Sequence, residues 1–351
     1  MRKQIDRLLR NGIIEPSKSA YSSNAHLVPK KRGQKPMVIN FIPLNRLVVP
    51  DCYPLPQLQD LFAATRGAKF FCTMDCSEGF FQIPLAKEDR PRTAFLTPLG
   101  LFQYTRAPFG LKTSPAAFQR TMNTIFKEGL YTRCVVYMDD FLVFGCTEEQ
   151  SLSNLEWVFQ QCNKYNVKLK FSKCTFFKPE VEFLGYKLGH NFIAPIPNEC
   201  DPIEEDSPQD GRAVATILGT FNYYSRFVEN YTEKTAGLRG LIRNEVPFEW
   251  TERHRTSVRE LKQELNKSVK QTIPDTKSPK GITLRASRGA IETACYENDT
   301  RLVCRAGMTL ADSQVNYTNV EKHVLALILA YKKFGPYLGG QVVVKAVCKG
   351  L

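Results

Sequence analysis

The sequence predicts an α+β protein of two or three subdomains, and three observations carry that prediction. Helical and strand-like periodicities are mixed along one chain and fall into no single class. At 351 residues the chain is too long for one ordinary core. A hydrophobic fraction of 43% supplies enough apolar side chains to fill more than one core, which excludes a disordered chain.

The elements follow in order. Ile5, Leu8 and Leu9 recur at helical spacing, and Asn11-Gly12 supplies a stop. Residues 16–24 are Ser-rich and read as a loop. Short strands around 26–29 and 37–41 flank the basic turn Lys30-Lys31-Arg32-Gly33. Such a turn either holds phosphates or is simply exposed. Residues 69–75 read as a strand ending on an acid. Residues 113–126 read as a helix, with Pro115 in its first turn. Residues 134–144 are a hydrophobic stretch interrupted by two adjacent acids. Residues 152–165 are helical, and 168–188 alternate enough for two or three strands. Residues 195–212 hold Pro195, Pro197, Pro202 and Pro208 among acids, and read as a hinge or a poorly formed helix. Helical patterns return at 212–227 and 252–267. Residues 271–281 form a Pro/Lys linker. Beyond it come strand-like pieces and one strong helix at 320–334, with Val320, Val324, Leu327, Tyr331 and Phe334 on one face.

Charge and cysteine usage narrow the function. Lys and Arg number 48 against 35 Asp and Glu, a net charge of +13. Such an excess fits a polyanionic partner, or a merely basic surface. The 11 cysteines include no C-x-x-C pair, which argues against a zinc site and a disulfide framework and fits an intracellular protein. No apolar run approaches membrane-spanning length, and the polar start Met1-Arg2-Lys3-Gln4 reads as helix rather than signal peptide.

Val135-Val136-Tyr137-Met138-Asp139-Asp140-Phe141-Leu142-Val143-Phe144 is the sharpest local feature. Two carboxylates in an apolar, β-prone run are costly unless they turn out of the core or bind a cation. A tight hairpin with the acids at its tip solves this. Asp75 ends a second apolar strand, Phe70-Phe71-Cys72-Thr73-Met74. If the two strands are neighbours, Asp75 and Asp139 converge at one sheet edge and can share a pair of Mg²⁺ ions for displacement at phosphorus. Taken alone, the Asp-Asp pair also fits a hairpin that is only acidic.

The order of the segments then decides between these. Tyr21-Ser22-Ser23, Tyr53-Pro54-Leu55-Pro56, Met74-Asp75-Cys76-Ser77, Pro108-Phe109-Gly110-Leu111, Ser114-Pro115-Ala116-Ala117-Phe118-Gln119, Tyr137-Met138-Asp139-Asp140, Ser172-Lys173-Cys174, Glu182-Phe183-Leu184-Gly185 and Asn222-Tyr223-Tyr224-Ser225-Arg226-Phe227 run in a family's order. The chain resembles reverse transcriptases of Gypsy-type retrotransposons and caulimovirus-type plant pararetroviruses, over nearly its whole length. Asp75-Cys76 and Val38-Ile39-Asn40 lean toward the pararetroviral wording.

The resemblance implies a right-hand polymerase, with fingers and palm at 1–188 and thumb at 189–270, then the linker and an RNase H-like α/β domain at 282–351. It implies Asp75, Asp139 and Asp140 as catalytic, metal-binding carboxylates for two Mg²⁺, with Mn²⁺ as a substitute. Phe80 would be the steric gate against a ribose 2′-OH, which disfavours an RNA-synthesising polymerase. Phe109, Gly110, Tyr137 and Met138 would line the nucleotide pocket, and Lys30, Lys31 and Arg32 would meet the triphosphate. Gln119 would shape the palm helix. The partners implied are an RNA or DNA template with its primer, and dNTPs. Pro36 departs from the family, where Arg precedes the segment Met37-Val38-Ile39-Asn40 and stacks on the nucleotide. Proline offers neither charge nor N–H, and the adjacent Lys35 is no equivalent fork.

The last segment resembles RNase H through Asn316-Tyr317, Glu321-Lys322, Leu325-Ala326 and Lys333-Phe334. The acids this nuclease needs align with Arg285, His323 and Val347, and the last falls beyond the end of the sequence. Glu321 lies about 200° around the helix from position 323. The expectation is a degenerate, truncated and catalytically inactive domain, as in a decayed element copy or a piece of a larger polyprotein. The alternative for the whole chain is a nucleic-acid-binding remnant without turnover. Asp275-Thr276 is followed by Lys277 rather than Gly, so nothing here resembles an aspartic protease, and no integrase or zinc-knuckle pattern appears.

Overall fold

The structure, a computed structural model, describes residues 1–28, 36–197, 200, 203, 208–242, 248–267 and 269–346. The chain divides into two compact units, one of residues 1–64 and 70–178 and the other of 65–69 and 179–351. The division falls ten residues before the boundary at 188 expected from the sequence.

The first unit opens with helix α1 (Arg2–Arg10), followed by β1 (Ile14–Pro16), β2 (Ser23–Leu27), β3 (Met37–Ile39), α2 (Ile42–Leu47), α3 (Leu58–Ala64) and β4 (Phe70–Asp75). It continues through β5 (Phe95–Thr97), β6 (Gly100–Tyr104), α4 (Ser114–Ile125), β7 (Cys134–Tyr137), β8 (Asp140–Gly145), α5 (Glu148–Lys164) and β9 (Thr175–Lys178). Two sheets result. One has the order β1-β6-β5-β2-β3 and the other β7-β8-β4-β9.

The second sheet matters most for function. Its strands are nearly continuous apolar runs because Cys72, Met74, Val136, Phe141 and Val143 pack under Phe118 and Met122 of α4 and Leu155 and Val158 of α5. A strand covered this way has no room for charge except at its ends. In the first sheet, Ile5 and Leu8 of α1 pack with Ile39, Phe41 and Phe95. Strands β2 and β3 pair antiparallel through Ala25↔Ile39, His26↔Val38 and Leu27↔Met37, as the flanked basic turn requires. Lys30, Lys31 and Arg32 themselves lie outside the described residues.

The second unit begins with a meander, β10 (Glu180–Phe183), β11 (Tyr186–Gly189) and β12 (Phe192–Pro195). Helices α6 (Gly211–Tyr223), α7 (Tyr231–Lys234), α8 (Ala236–Ile242) and α9 (Glu252–Asn266) follow. Strand β13 (Gln271–Thr272) then pairs with β12. The segment read as linker is therefore partly sheet, because two residues suffice to close an edge and carry no periodicity. Lys280, read as linker too, is buried in the first turn-free residue of β14 (Lys280–Ala286), where its amine donates to the carbonyls of Asp275 and Ser278.

Strands β15 (Ala290–Glu297) and β16 (Arg301–Thr309), helices α10 (Asp312–Val315) and α11 (Asn319–Phe334), and β17 (Val342–Ala346) complete the unit. The sheet order is β16-β15-β14-β17, with β17 parallel to β14. Helix α11 buries little of the apolar stripe read from the sequence. Of the face Val320, Val324, Leu327, Tyr331 and Phe334, only Phe334 is buried; Val320 and Tyr331 are each 73% exposed. Ala326, Ala330, Phe334 and the stem of Lys322 face inward instead. Alanines let the helix approach the sheet closely, and the Lys322 amine reaches the Arg288 carbonyl at 3.3 Å.

Candidate active site

Strands β4 and β8 bring the acids together. They pair antiparallel from Phe70↔Gly145 to Asp75↔Asp140, so the apolar length of each strand ends at the same sheet edge. Strands β7 and β8 pair through Tyr137↔Asp140, which puts Met138 and Asp139 at the hairpin tip. Met138 has φ +52°, a left-handed conformation that a non-glycine residue needs help to hold. The help comes from Gln119 of α4. Its fully buried amide accepts from the Met138 N–H at 2.7 Å and donates to the Val136 carbonyl at 3.0 Å. Gln119 thus shapes the turn that carries the acids. Cys76 N–H donates to the Asp139 carbonyl at 3.0 Å, tying the tip to the residue after Asp75.

Asp75 and Asp139 line one cavity of about 640 Å³ with Arg7, Glu78, Gly79, Phe81, Phe109, Lys170 and Lys173. Asp140 is not in its wall. Gly79 has φ +41°, and a Cβ there would stand 3.3 Å from a carboxylate oxygen of Asp139. A side chain at 79 would crowd the acid, so glycine serves both the backbone and the carboxylate.

Lys173 is a site residue whose role the sequence did not reveal. Its amine donates to Asp75 Oδ2 at 2.7 Å, and this bond raises the lysine's affinity for its proton. Lys170 N–H also donates to the Asp75 carbonyl at 2.8 Å. The only signal in the sequence was the ordered motif Ser172-Lys173-Cys174.

Among the described residues no three acid, histidine or cysteine side chains converge tightly enough to cage a metal ion alone. This donor set still suits Mg²⁺, which takes one or two carboxylates and completes its shell from substrate phosphates and water. Asp75 and Asp139 could supply the hard oxygens, and Lys173 now balances the charge of Asp75.

Asp140 is held above the usual carboxylate range, first by desolvation of its ionised form and then by the charges of Asp139 and Asp75. The unfolded chain ionises it at about 3.9. Between that value and the higher folded value the native state holds the extra proton, so stability falls as pH rises through the interval. Above the folded value the full penalty applies. Asp140→Asn should therefore raise the melting temperature of metal-free protein at pH 7, with the gap closing as pH falls toward the ordinary carboxylate value. Thermal melts followed by circular dichroism read this directly, and coincident curves at pH 7 would contradict it.

Of the expected nucleotide-pocket residues, Phe109 lies on the cavity wall and is half exposed. Phe80 stands behind it, ring centroids 5.1 Å apart, with Phe118 beneath at 5.7 Å. The wall position belongs to Phe81, packed edge-on against Phe109. Gly110 and Pro36 line a neighbouring cavity of about 460 Å³ with Lys3, Gln4, Arg7, Phe81 and Phe109. Tyr137 and Met138 are half-buried, and neither lines the cavity of Asp75 and Asp139.

Residues 28–188, which contain every acid of this site, match the family described as reverse transcriptase (RNA-dependent DNA polymerase). The chain carries a reverse transcriptase domain. Residues 250–344 match the RNase H-like domain found in reverse transcriptase. The chain is 34% identical over 348 residues to a retrovirus-related Pol polyprotein from transposon 412 of Drosophila melanogaster, covering 96% of this chain and 28% of that one. It is 33% identical over 352 residues to the enzymatic polyprotein of Cauliflower mosaic virus (strain Strasbourg), covering 96% and 51%. The chain thus spans about a quarter to a half of these relatives. Among solved structures it is similar to a foamy viral protease-reverse transcriptase dRH in complex with double-stranded DNA, with a TM-score of 0.87 and 25% identity, covering 100% of this chain and 62% of that one. The mixed helix-and-sheet fold expected for such a polymerase, with an RNase H-like region after it, is the fold found.

In the RNase H-like domain, Arg285 and His323 line one cavity of about 520 Å³ with Asn230, Glu233, Ser287, Glu292 and Asn319. The Arg285 guanidinium pairs with Glu229, and the His323 ring meets the Asn319 carbonyl at 2.6 Å. Glu292 accepts from the Asn230 N–H at 3.0 Å, and desolvation pushes its carboxyl above the usual range. Glu321 caps the start of α11 through Thr318. Val347 lies outside the described residues. No described helix is long and apolar enough to cross a membrane.

Proposed function

We propose that this chain is an RNA-directed DNA polymerase whose RNase H-like domain does not hydrolyse RNA. One observation carries the reading: Asp75 and Asp139 share a single open cavity with a lysine held against Asp75. Two divalent ions, Mg²⁺ or Mn²⁺, would there stabilise the attacking and leaving oxygens of an in-line displacement. Asp75 and Asp139 offer them oxygen ligands, with Asp140 adding negative charge beside them. Lys173, released from Asp75, keeps its ammonium in the cavity as a counter-charge for phosphate. The primer 3′-OH attacks the α-phosphate of a dNTP, and pyrophosphate leaves. The partners are a template–primer duplex and dNTPs, and the +13 charge suits the duplex.

Phe80 acts as the sugar gate through its support of Phe109, with Gly110, Tyr137 and Met138 completing the pocket and Lys30, Lys31 and Arg32 reaching the triphosphate. At the positions where the nuclease's acids align, the RNase H-like cavity holds a guanidinium and an imidazole. Arg285 and His323 cannot replace carboxylates on Mg²⁺, and Glu292 is engaged with backbone N–H. A second reading, a nucleic-acid-binding remnant without turnover, draws on Pro36 in the wall where a cation is expected.

Primer extension on an RNA template with dNTPs separates the two. Extension is expected, and Phe80→Val should admit ribonucleotides about tenfold or more readily, because without the ring behind it the Phe109 wall can give way to a 2′-OH. Failure of folded protein to extend selects the remnant. Extension with unchanged sugar selectivity removes Phe80 from the gate.

A further inference from the structure

The cation missing at Pro36 has a candidate replacement on another element. Arg7 of α1 is the one side chain of that helix that lines both the cavity of Asp75 and Asp139 and the neighbouring cavity of Pro36. Its helix is fixed in place, since Ile5 and Leu8 on either side of it are buried against Ile39 of β3. Lys3, one turn earlier on the same face, lines the Pro36 cavity as well. Among the described residues the guanidinium is held by Glu78 alone, at 3.8 Å, and its side chain is 59% exposed. An exposed pair at that distance is weak, so Arg7 can turn to a stronger anion. Glu78 also lines the Asp75 cavity and its charge opposes an anion there.

We propose that Arg7, with Lys3 behind it, binds the β- and γ-phosphates of the incoming nucleotide, and hence the pyrophosphate product, in place of the cation absent at position 36. This rests on the polymerase reading. A nucleotide held at Asp75 and Asp139 directs its leaving phosphates away from the primer, and Arg7 is the fork-shaped donor at the junction of the two cavities. A guanidinium can take two phosphate oxygens at once, which neither Lys170 nor Lys173 can do.

Arg10 supplies the control. It carries the same charge on the same helix, lines neither cavity, and donates to the Asp6 carbonyl. Arg7→Ala should raise the KM for dTTP about tenfold, the weight of one charge-assisted bond, with kcat changed less than about twofold. Inhibition by inorganic pyrophosphate should weaken by the same factor. Arg7→Lys should recover part of both, and Arg10→Ala should change neither. Equilibrium binding of dTTP to the protein on template–primer with Ca²⁺, which needs no turnover, should show the same order. If wild type extends primers but Arg7→Ala and Arg10→Ala behave alike, the Arg7 assignment fails and the polymerase reading stands. If wild type does not extend, the polymerase reading fails. The dTTP binding comparison then decides on Arg7 alone, with equal affinities overturning it.

Discussion

Asp139→Asn is expected to lower primer extension by about three orders of magnitude, equivalent to roughly 4 kcal/mol of transition-state stabilisation. The substitution keeps the shape of the side chain and removes its charge. The backbone that holds position 139 is untouched, since the Cys76 N–H bond uses the Asp139 carbonyl and the Gln119 bond uses Met138. The fold should therefore persist. It should become slightly more stable, because the charge of Asp139 is one of the influences that make Asp140 hard to ionise. Loss of extension with an equal or higher melting temperature and unchanged template–primer binding identifies a chemical role. Loss of all three together would mean that the residue is structural.

Gly145→Ala should have the largest effect on stability. Gly145 ends β8 and pairs with Phe70, at the opposite end of the ladder from Asp75 and Asp140. A Cβ there would lie 2.6 Å from the Ser151 backbone nitrogen and 2.8 Å from its Cα. Those atoms belong to the first turn of α5, so no flexible side chain can move aside. Either α5 lifts from the sheet or β8 shifts along it. The expected cost is about 3 kcal/mol, a large fraction of a typical stability of about 5–15 kcal/mol. Denaturant titration of the two proteins measures it. A shift of β8 would also displace Asp140, so extension should fall with stability. A loss under about 1 kcal/mol would show that the contact is looser than drawn.

The acid-bearing edge of the sheet was legible because its physics is local. Apolar strands that end abruptly on carboxylates admit few arrangements, and the acids at 75, 139 and 140 stand where that reasoning puts them. The long helices were legible for the same reason, from stripes and stops. What escaped depends on contacts far apart in sequence. Lys173 meets Asp75 across 98 positions, and nothing near either residue announces the other. Helix α11 has apolar residues on two sides, and a stripe alone does not say which side meets the sheet. The larger residues suggested one face, whereas the close approach allowed by Ala326 and Ala330 selected the other. Phe80 and Phe81 are adjacent, and only the packing against Phe109 and Phe118 assigns one to the wall and one behind it. Strand β13 is two residues long and has no period to read.

The second set of acids reads in the opposite way. At Arg285 and His323 the side chains present form their own pairs, with Glu229 and with the Asn319 carbonyl. The chain is thus proposed to hold one working two-metal site and one that has lost its ligands. A single reaction tests both halves: a DNA primer annealed to an end-labelled RNA template, incubated with dNTPs and Mg²⁺, with both strands resolved on one gel. The expected result is an extended primer on intact RNA with the wild type, and neither extension nor cleavage with Asp139→Asn. Extension that survives Asp139→Asn, or RNA cut by either protein in a Mg²⁺-dependent way, would contradict it.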